Sequence, residues 1–300
     1  MNAQRARLPG GRWHFQHGPI DLVIGAEGEA HAVELAHEAA WARFQNVLPE
    51  LVTELRALRR PVRGPCSLQG VVARRMWLAC RPHQAQFITP MAAVAGAVAQ
   101  EIVAIYERPG IARAWVNNGG DIALHLAPNA SVKVGLLADL SQFDPADVTT
   151  RLDAGFAVTA DLAVRGIATS GWRGRSFSLG IADSVTVLAR TAAIADAAAT
   201  VIANAVNVAD PRIVRRPANE LKDDSDLGDT PVTVSVPPLG VEQVRRALHA
   251  GALSARVLQR LGLIHSAVLV CQHRAAHVEP GGRLAAPAGT ALEQVGSAFA

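Results

Sequence analysis

Apolar positions along the chain recur with two different periods, and the switches between them mark its elements. Residues 20–26, "IDLVIGA", predict a first strand. From 29 to 58, Glu and Arg spaced among Leu and Ala predict a long helix that Pro49 kinks or divides. "LQGVVARRMWLA" (68–79) predicts a second strand, ending before Pro82. Residues 89–110, "TPMAAVAGAVAQEIVAIYERPG", predict a helix with Thr89 as its N-cap, Pro90 in its first position and a Pro-Gly stop. The strand-like runs "ARAWVN", "DIALHL" and "VKVGLLA" follow in quick succession, and their short connections predict antiparallel pairing. "GFAVTADLAVRGIATSG" (155–171) adds a strand and a turn, and "DSVTVLA" another strand. The alanine-rich run 191–206 has no Gly or Pro and predicts a helix. "ELKDDSDLGD" (220–229) reads as a solvated acidic loop, after which 231–236, 241–261 and 264–272 read as strand, helix, strand.

Antiparallel strand runs alternating with helices give an α+β layered architecture. We expect one domain over 1–279, or two intimately packed subdomains within it, and a flexible C-terminal tail over 280–300.

Composition narrows the function classes. Half of the 300 residues are apolar and aromatics make up 4%, so the core must be built from small side chains. The net charge is +3, with arginines scattered and no basic run interleaved with aromatics, which argues against nucleic-acid binding. Three distant cysteines, Cys66, Cys80 and Cys271, form neither a disulfide framework nor a zinc pattern and suit a reducing compartment. The first residues lack the apolar core of a signal peptide, and the most apolar stretch is interrupted by Gln100 and Glu101. These features lead us to expect a soluble, cytoplasmic protein without a membrane partner; homo-oligomerisation stays open.

Three pieces carry candidate chemistry. Asn118-Gly119-Gly120-Asp121, between two alternating runs, is a hairpin turn by its own signal. Its two glycines also leave backbone N–H groups open to a phosphate or ribose, with Asp121 to accept from ligand hydroxyls. The second piece, Thr169-Ser170-Gly171, offers two hydroxyls and a permissive backbone, which is also ordinary turn chemistry. The third is Asp196 with Thr200 in the alanine-rich helix, where a four-residue spacing puts both oxygens on one face. A carboxylate beside a hydroxyl suits Mg²⁺, which takes few protein oxygens. The alternative is an exposed Asp196 and a Thr200 bonded back to its own helix.

In this order the three pieces resemble the ApbE family of flavin transferases, which use Mg²⁺ and FAD to attach FMN to a Thr or Ser of a protein acceptor. The resemblance covers roughly residues 85 to 210. It implies a T-fold-like arrangement of antiparallel sheets backed by helices. It also implies a metal site at Asp196, Thr200 and the carbonyl of Ala92. The ligand contacts it implies are at Thr89, Ala95, Gly96, Asn118, Gly119, Gly120, Asp121, Thr169, Ser170 and Gly171.

The chain departs from that family in three places. Ala95 stands where the family has Lys, Thr89 stands where it has Asp, and "WRGRSFSLGIADSVTV" replaces the segment that carries the transferases' His. The pattern is that of a soluble branch of the superfamily with unassigned activity. We expect a small-molecule ligand, flavin- or nucleotide-like, bound with Mg²⁺. A transferase with a displaced catalytic group and a non-catalytic protein with a vestigial site remain alternatives. His125, Arg173 and Arg175 are the candidates to replace what is missing. His14 and His17, three apart on a strand-like run, face opposite ways and make a poor metal pair.

Overall fold

The computed structural model describes residues 2–136 and 154–280. Strands β1 (Gln4–Arg7), β2 (Trp13–His17) and β3 (Ile20–Gly28) are followed by helices α1 (Ala30–Thr53), α2 (Leu55–Leu58), α3 (Val71–Cys80) and α4 (Val94–Val103). Six strands come next: β4 (Ile111–Asn118), β5 (Asp121–Leu126), β6 (Ser131–Leu136), β7 (Ala154–Thr159), β8 (Gly166–Ser170) and β9 (Ser184–Ala189). The described chain finishes with α5 (Ala192–Ala205), β10 (Val214–Pro217), α6 (Ala218–Leu221), β11 (Pro231–Ser235), α7 (Val241–Arg260), β12 (Ser266–Cys271) and β13 (Arg274–Val278).

Nine strands form one sheet in the order β1-β2-β3-β4-β5-β8-β9-β12-β13, and every pairing in it is antiparallel. Alternation along the central strands sorts side chains onto two faces. Ala114, Val116, Ala123, Ala168, Val185 and Val187 join the large core formed with the helices. Trp115, Leu124, Leu126, Ile167 and Leu188 pack on the other face with Val132, Val134 and Val158 of the separate β6–β7 pair. The architecture is thus α+β, an antiparallel sheet backed by helices. Among the described residues, no helix is long and apolar enough to cross a membrane.

Helix α5 lies at the centre of the helical layer. It touches α4, α7, β8 and β9, and its alanines are buried on nearly every side, as expected for a helix that is apolar all round. Small side chains let the neighbours come close. A Cβ placed on Gly96 of α4 would sit 2.3 Å from the Ala192 carbonyl oxygen, so only glycine allows this helix–helix approach.

Several expected elements differ in the structure. Residues 71–80 form a helix rather than a strand, because Val72, Ala73, Met76, Trp77, Ala79 and Cys80 are buried at helical spacing. Its start is fixed from a distance: the Glu54 carboxylate accepts the backbone N–H groups of Gln69 at 2.8 Å and Gly70 at 2.7 Å. Pro49 does not divide α1, which continues to Thr53 with Val47 and Leu51 both buried, and the break falls at Glu54. Thr89 does not cap a helix through its side chain; Pro90–Ala93 is a 3₁₀ turn, and the Thr89 hydroxyl is directed to Asp226. Thr169 and Ser170 lie within β8 rather than in a turn. β1 and β13, at the two edges of the sheet, were not legible in the pattern. The expected tail lies outside the described residues beyond Pro280, as does the end of the "VKVGLLA" run after Leu136.

Candidate functional site

The β4–β5 connection is a two-residue hairpin in which Asn118 pairs with Asp121. Gly119 and Gly120 hold φ of 64° and 111°, values that glycine adopts without strain. Asn117 Oδ1 accepts the Gly120 N–H at 2.8 Å, and Asn118 Nδ2 donates to the Ala95 carbonyl at 3.1 Å. The turn is therefore braced internally and tied to α4. A cavity of about 1090 Å³ opens beside it.

Two acids form the floor of this cavity on the helix face of the sheet. Asp196 Oδ2 accepts the Gly96 N–H at 2.9 Å, and the Ala95 N–H also favours its charged form. These are unpaired amides of the first turn of α4, so Asp196 caps that helix from α5, where Ala93 offers no side-chain cap. Asp121 is buried and its Oδ1 accepts the Thr169 N–H at 3.0 Å. Burial is the main cause that raises the Asp196 pKa to about 7, against which the two backbone N–H groups pull down. Burial also holds Asp121 well above the ordinary carboxylate range, followed by the charge of Asp196, with the Thr169 amide opposing. Among the described residues, neither acid is ion-paired with Lys or Arg. Asp121 Oδ1 and Asp196 Oδ2 are thus each engaged by a backbone N–H.

Of the residues singled out in the sequence, Thr89, Ala92, Ala95, Asn118, Gly119 and Gly120 line the cavity, with Asp121, Thr169, Ser170, Gly171, Asp196 and Thr200. Gly96 does not; it faces α5 and supplies the N–H that binds Asp196. Thr169 and Ser170 part company. The Thr169 hydroxyl is on the face shared with Ile167 and hydrogen-bonds to Thr186 Oγ1 at 2.9 Å, whereas strand alternation puts Ser170 on the helix face with Ala168.

Arg173 and Arg175 both line the cavity, and the Arg175 guanidinium lies against the turn, 3.1 Å from where a Gly119 Cβ would be. Arg173 also approaches Asp183 at 3.4 Å and packs over the Trp172 ring. His125 is elsewhere on β5, with Nε2 3.3 Å from the Ile111 carbonyl. No histidine is among the described residues lining the cavity. His14 pairs with Asp21 at 2.8 Å and His17 is buried, on opposite faces of β2.

Sequence reasoning missed much of the lining, including Asn204, Thr186, Lys222 and Asp226. Asn204 could have been found, since it continues the four-residue spacing of Asp196 and Thr200. Asp226 could not, because a polar acidic loop carries no sign that one of its carboxylates folds back onto Thr89. Residues 220–229 are thus only partly a solvated surface. Among the described residues there is no group of three or more His, Cys, Asp and Glu placed to hold a metal. Any cation here must rest on two carboxylates with hydroxyl and carbonyl oxygens.

The profile of the family described as AbpE bacteria matches residues 5–296. The chain is similar to a UPF0280 protein of Methanopyrus kandleri, 36% identical over 224 residues, which cover 71% of this chain and 83% of the relative. It is also similar to a UPF0280 protein of Methanosarcina barkeri, 32% identical over 202 residues, covering 65% and 72%. Among solved structures, a mutant of the flavin transferase ApbE from Vibrio cholerae matches with TM-score 0.44 at 12% identity, over 95% of this chain and 98% of that one. The apo form of the flavinyl transferase ApbE from Pseudomonas stutzeri matches with TM-score 0.41 at 12% identity, over 90% of each chain.

Proposed function

The chain belongs to the family described as AbpE bacteria, within the ApbE superfamily, and from that premise we propose that it binds a flavin- or nucleotide-like ligand together with Mg²⁺ and is not an FMN transferase. The observation that carries this reading is the pair Asp121 and Asp196, two acids sharing one cavity floor without a basic partner among the described residues. Two carboxylates so placed favour either a proton or a cation. The donor set fits Mg²⁺, since every candidate is a hard oxygen and Mg²⁺ completes its shell with water or phosphate. The residues that would hold it are the Asp121 and Asp196 carboxylates, the Thr200 hydroxyl and the Ala92 carbonyl. When bound, the cation would neutralise phosphate charge.

The chain's own residues do the remaining work. Arg173, Arg175 and Lys222 line the same cavity and suit phosphate oxygens. Gly119 and Gly120 let backbone approach the ligand closely. Proton transfer is where the equipment ends: a general base must reach the reacting proton, and the described lining has no histidine.

Equilibrium titration with FAD, with and without Mg²⁺, tests the reading on the wild type and on Asp196→Asn. Asn keeps an acceptor for the Gly96 N–H, so the helix cap survives while the charge is lost. We expect Mg²⁺-dependent binding that vanishes in the variant, with no FMN transferred to a protein acceptor. Metal-independent binding, or none, would sink the cation half; robust transfer would sink the statement about transferase activity.

A further inference from the structure

Helix α7 presents apolar side chains in two directions. Val244, Ala247, Leu248, Gly251, Ala255 and Leu258 are buried, and the helix packs on α5, β12 and β13. On the opposite side Leu253, Val257 and Leu261 are 49%, 46% and 66% exposed. Their four-residue spacing sets them in one row, about 40° apart around the helix axis. Single exposed apolar residues are ordinary, whereas a row of three along one helix is a patch. Neither the large cavity nor the smaller one at α3, α4 and α5 is lined by a residue of α7. The row is an outward ridge and not the wall of a pocket.

The charge around this ridge is lopsided. From Val241 to Val278 the chain has five arginines, no lysine and a single acid, Glu242. That surplus of four positive charges exceeds the +3 of the whole chain, so the rest of the chain is net negative. Arg246 lies seven residues before Leu253 and Arg260 seven after it, so both continue the line of the ridge. On β13, Arg274 shares the helix face with Ala276, which packs on the core. Among the described residues, only Arg245 of the five is in an ion pair, with Glu242 at 2.6 Å. Arg256 Nε and Nη2 have no acceptor there.

Arginines without acids require an anion, and the leucines beside them require a medium that accepts apolar side chains. Protein interfaces meet the second need by seating side chains in well-packed pockets. A bilayer with anionic headgroups needs only a basic ridge that can lie in its surface. A ridge on one helix, with no pocket beside it, favours the bilayer.

We propose that α7 is a docking face for an anionic lipid bilayer, its arginines against the headgroups and Leu253, Val257 and Leu261 in the headgroup–acyl boundary. Docking of this kind needs no spanning helix. It departs from the expectation of no membrane partner, which rested on the lack of a span and of a signal peptide. It is independent of the ligand reading, because no residue of α7 lines the large cavity.

The full chain is sedimented with vesicles of phosphatidylcholine alone and of phosphatidylcholine mixed with phosphatidylglycerol. We expect it to pellet with the anionic vesicles only, and less so as salt rises, since exposed charges are screened. Arg246→Gln with Arg260→Gln should weaken binding by roughly tenfold or more. Leu253→Ser with Leu261→Ser should weaken it by roughly tenfold as well. All four side chains are exposed, and circular dichroism with thermal unfolding establishes that the variants fold. FAD titration of each variant should match the wild type.

Absence of binding to the anionic vesicles overturns the proposal, as does binding that either pair of substitutions leaves unchanged. A dimer that Leu253→Ser with Leu261→Ser dissociates, without vesicle binding, would also overturn it and give the face to a second copy. Capture by polyglutamate but not by vesicles would overturn it in favour of an acidic protein.

Discussion

The two faces of the sheet, a few ångströms apart at the β4–β5 turn, solve opposite problems. On the helix face two carboxylates sit side by side among alanines, each held by backbone N–H groups. On the other face aliphatic side chains and an indole close over a smaller core under the β6–β7 pair. One side concentrates charge where it is costly, and the other excludes it. The contrast teaches that the carboxylate side depends on where backbone N–H groups are placed, while the apolar side depends on volume.

The largest effect should come from disturbing that placement. Gly96→Val would put side-chain atoms against the Ala192 backbone, which cannot move aside as a flexible side chain would. Overpacking at such a contact should cost roughly 3 kcal/mol or more, read as a lower denaturant midpoint. The same variant should displace the N–H that holds Asp196, so Mg²⁺-dependent FAD binding should fall as well. A variant with the wild-type midpoint would show that α4 and α5 are not locked as described.

Neutralising the charge should act in the other direction. Without metal, Asp196→Asn at pH 8 should raise stability by about 2 kcal/mol, because a buried carboxylate beside Asp121 is relieved of its charge. Asp196→Ala should gain less, since it also removes the α4 cap, a loss of about 1 kcal/mol. If Asp196→Asn is destabilising in metal-free buffer, the two acids are not in conflict.

The pH dependence follows from the same pair, with a smaller effect per pH unit. Both acids have raised pKa values in the fold, Asp196 to about 7, above its unfolded value of 3.8. Between these values the folded protein holds more protons than the unfolded chain, so metal-free stability should fall as pH rises through this window. Mg²⁺ needs the charged forms, so the gain in melting temperature on adding it should widen from pH 6 to pH 8. A gap that is constant across that range would place the cation elsewhere.

How much of this was legible in the sequence depended on whether the signal was local. The Gly-Gly hairpin announced itself, because a two-residue turn between alternating runs has few other uses, and the alanine-rich helix did so through composition. The spacing of Asp196 and Thr200 put both on one helix face. What could not be read was set by distant partners. Helix α3 looked like a strand in a run where Val71 and Val72 are adjacent, and Glu54, sixteen residues before Gly70, fixes where it begins. "ATSG" looked like a turn because small polar residues usually are, yet β9 pairs with Ala168, Thr169 and Ser170 and holds them as a strand. That Asp196 caps α4 needed the two helices to meet, a contact made through Gly96 that no local pattern contains.

The smallest effect should come from Thr89, and it should appear only on the carboxylate side. Thr89 is 2% exposed and its hydroxyl donates to Asp226, on the loop between α6 and β11. Lys222, Ser225, Asp226 and Leu227 of this loop line the cavity, so the bond fixes one of its walls. Thr89→Val keeps the shape and removes the donor, which should cost about 1 kcal/mol of global stability. The local consequence should be larger in relative terms, since a loop held by few contacts opens on its own. We expect limited proteolysis to cut within 220–229 faster in Thr89→Val than in the wild type. An unchanged cleavage rate would mean that the loop is held by Asn219 and its bond to Asp229 at 2.5 Å rather than by Thr89.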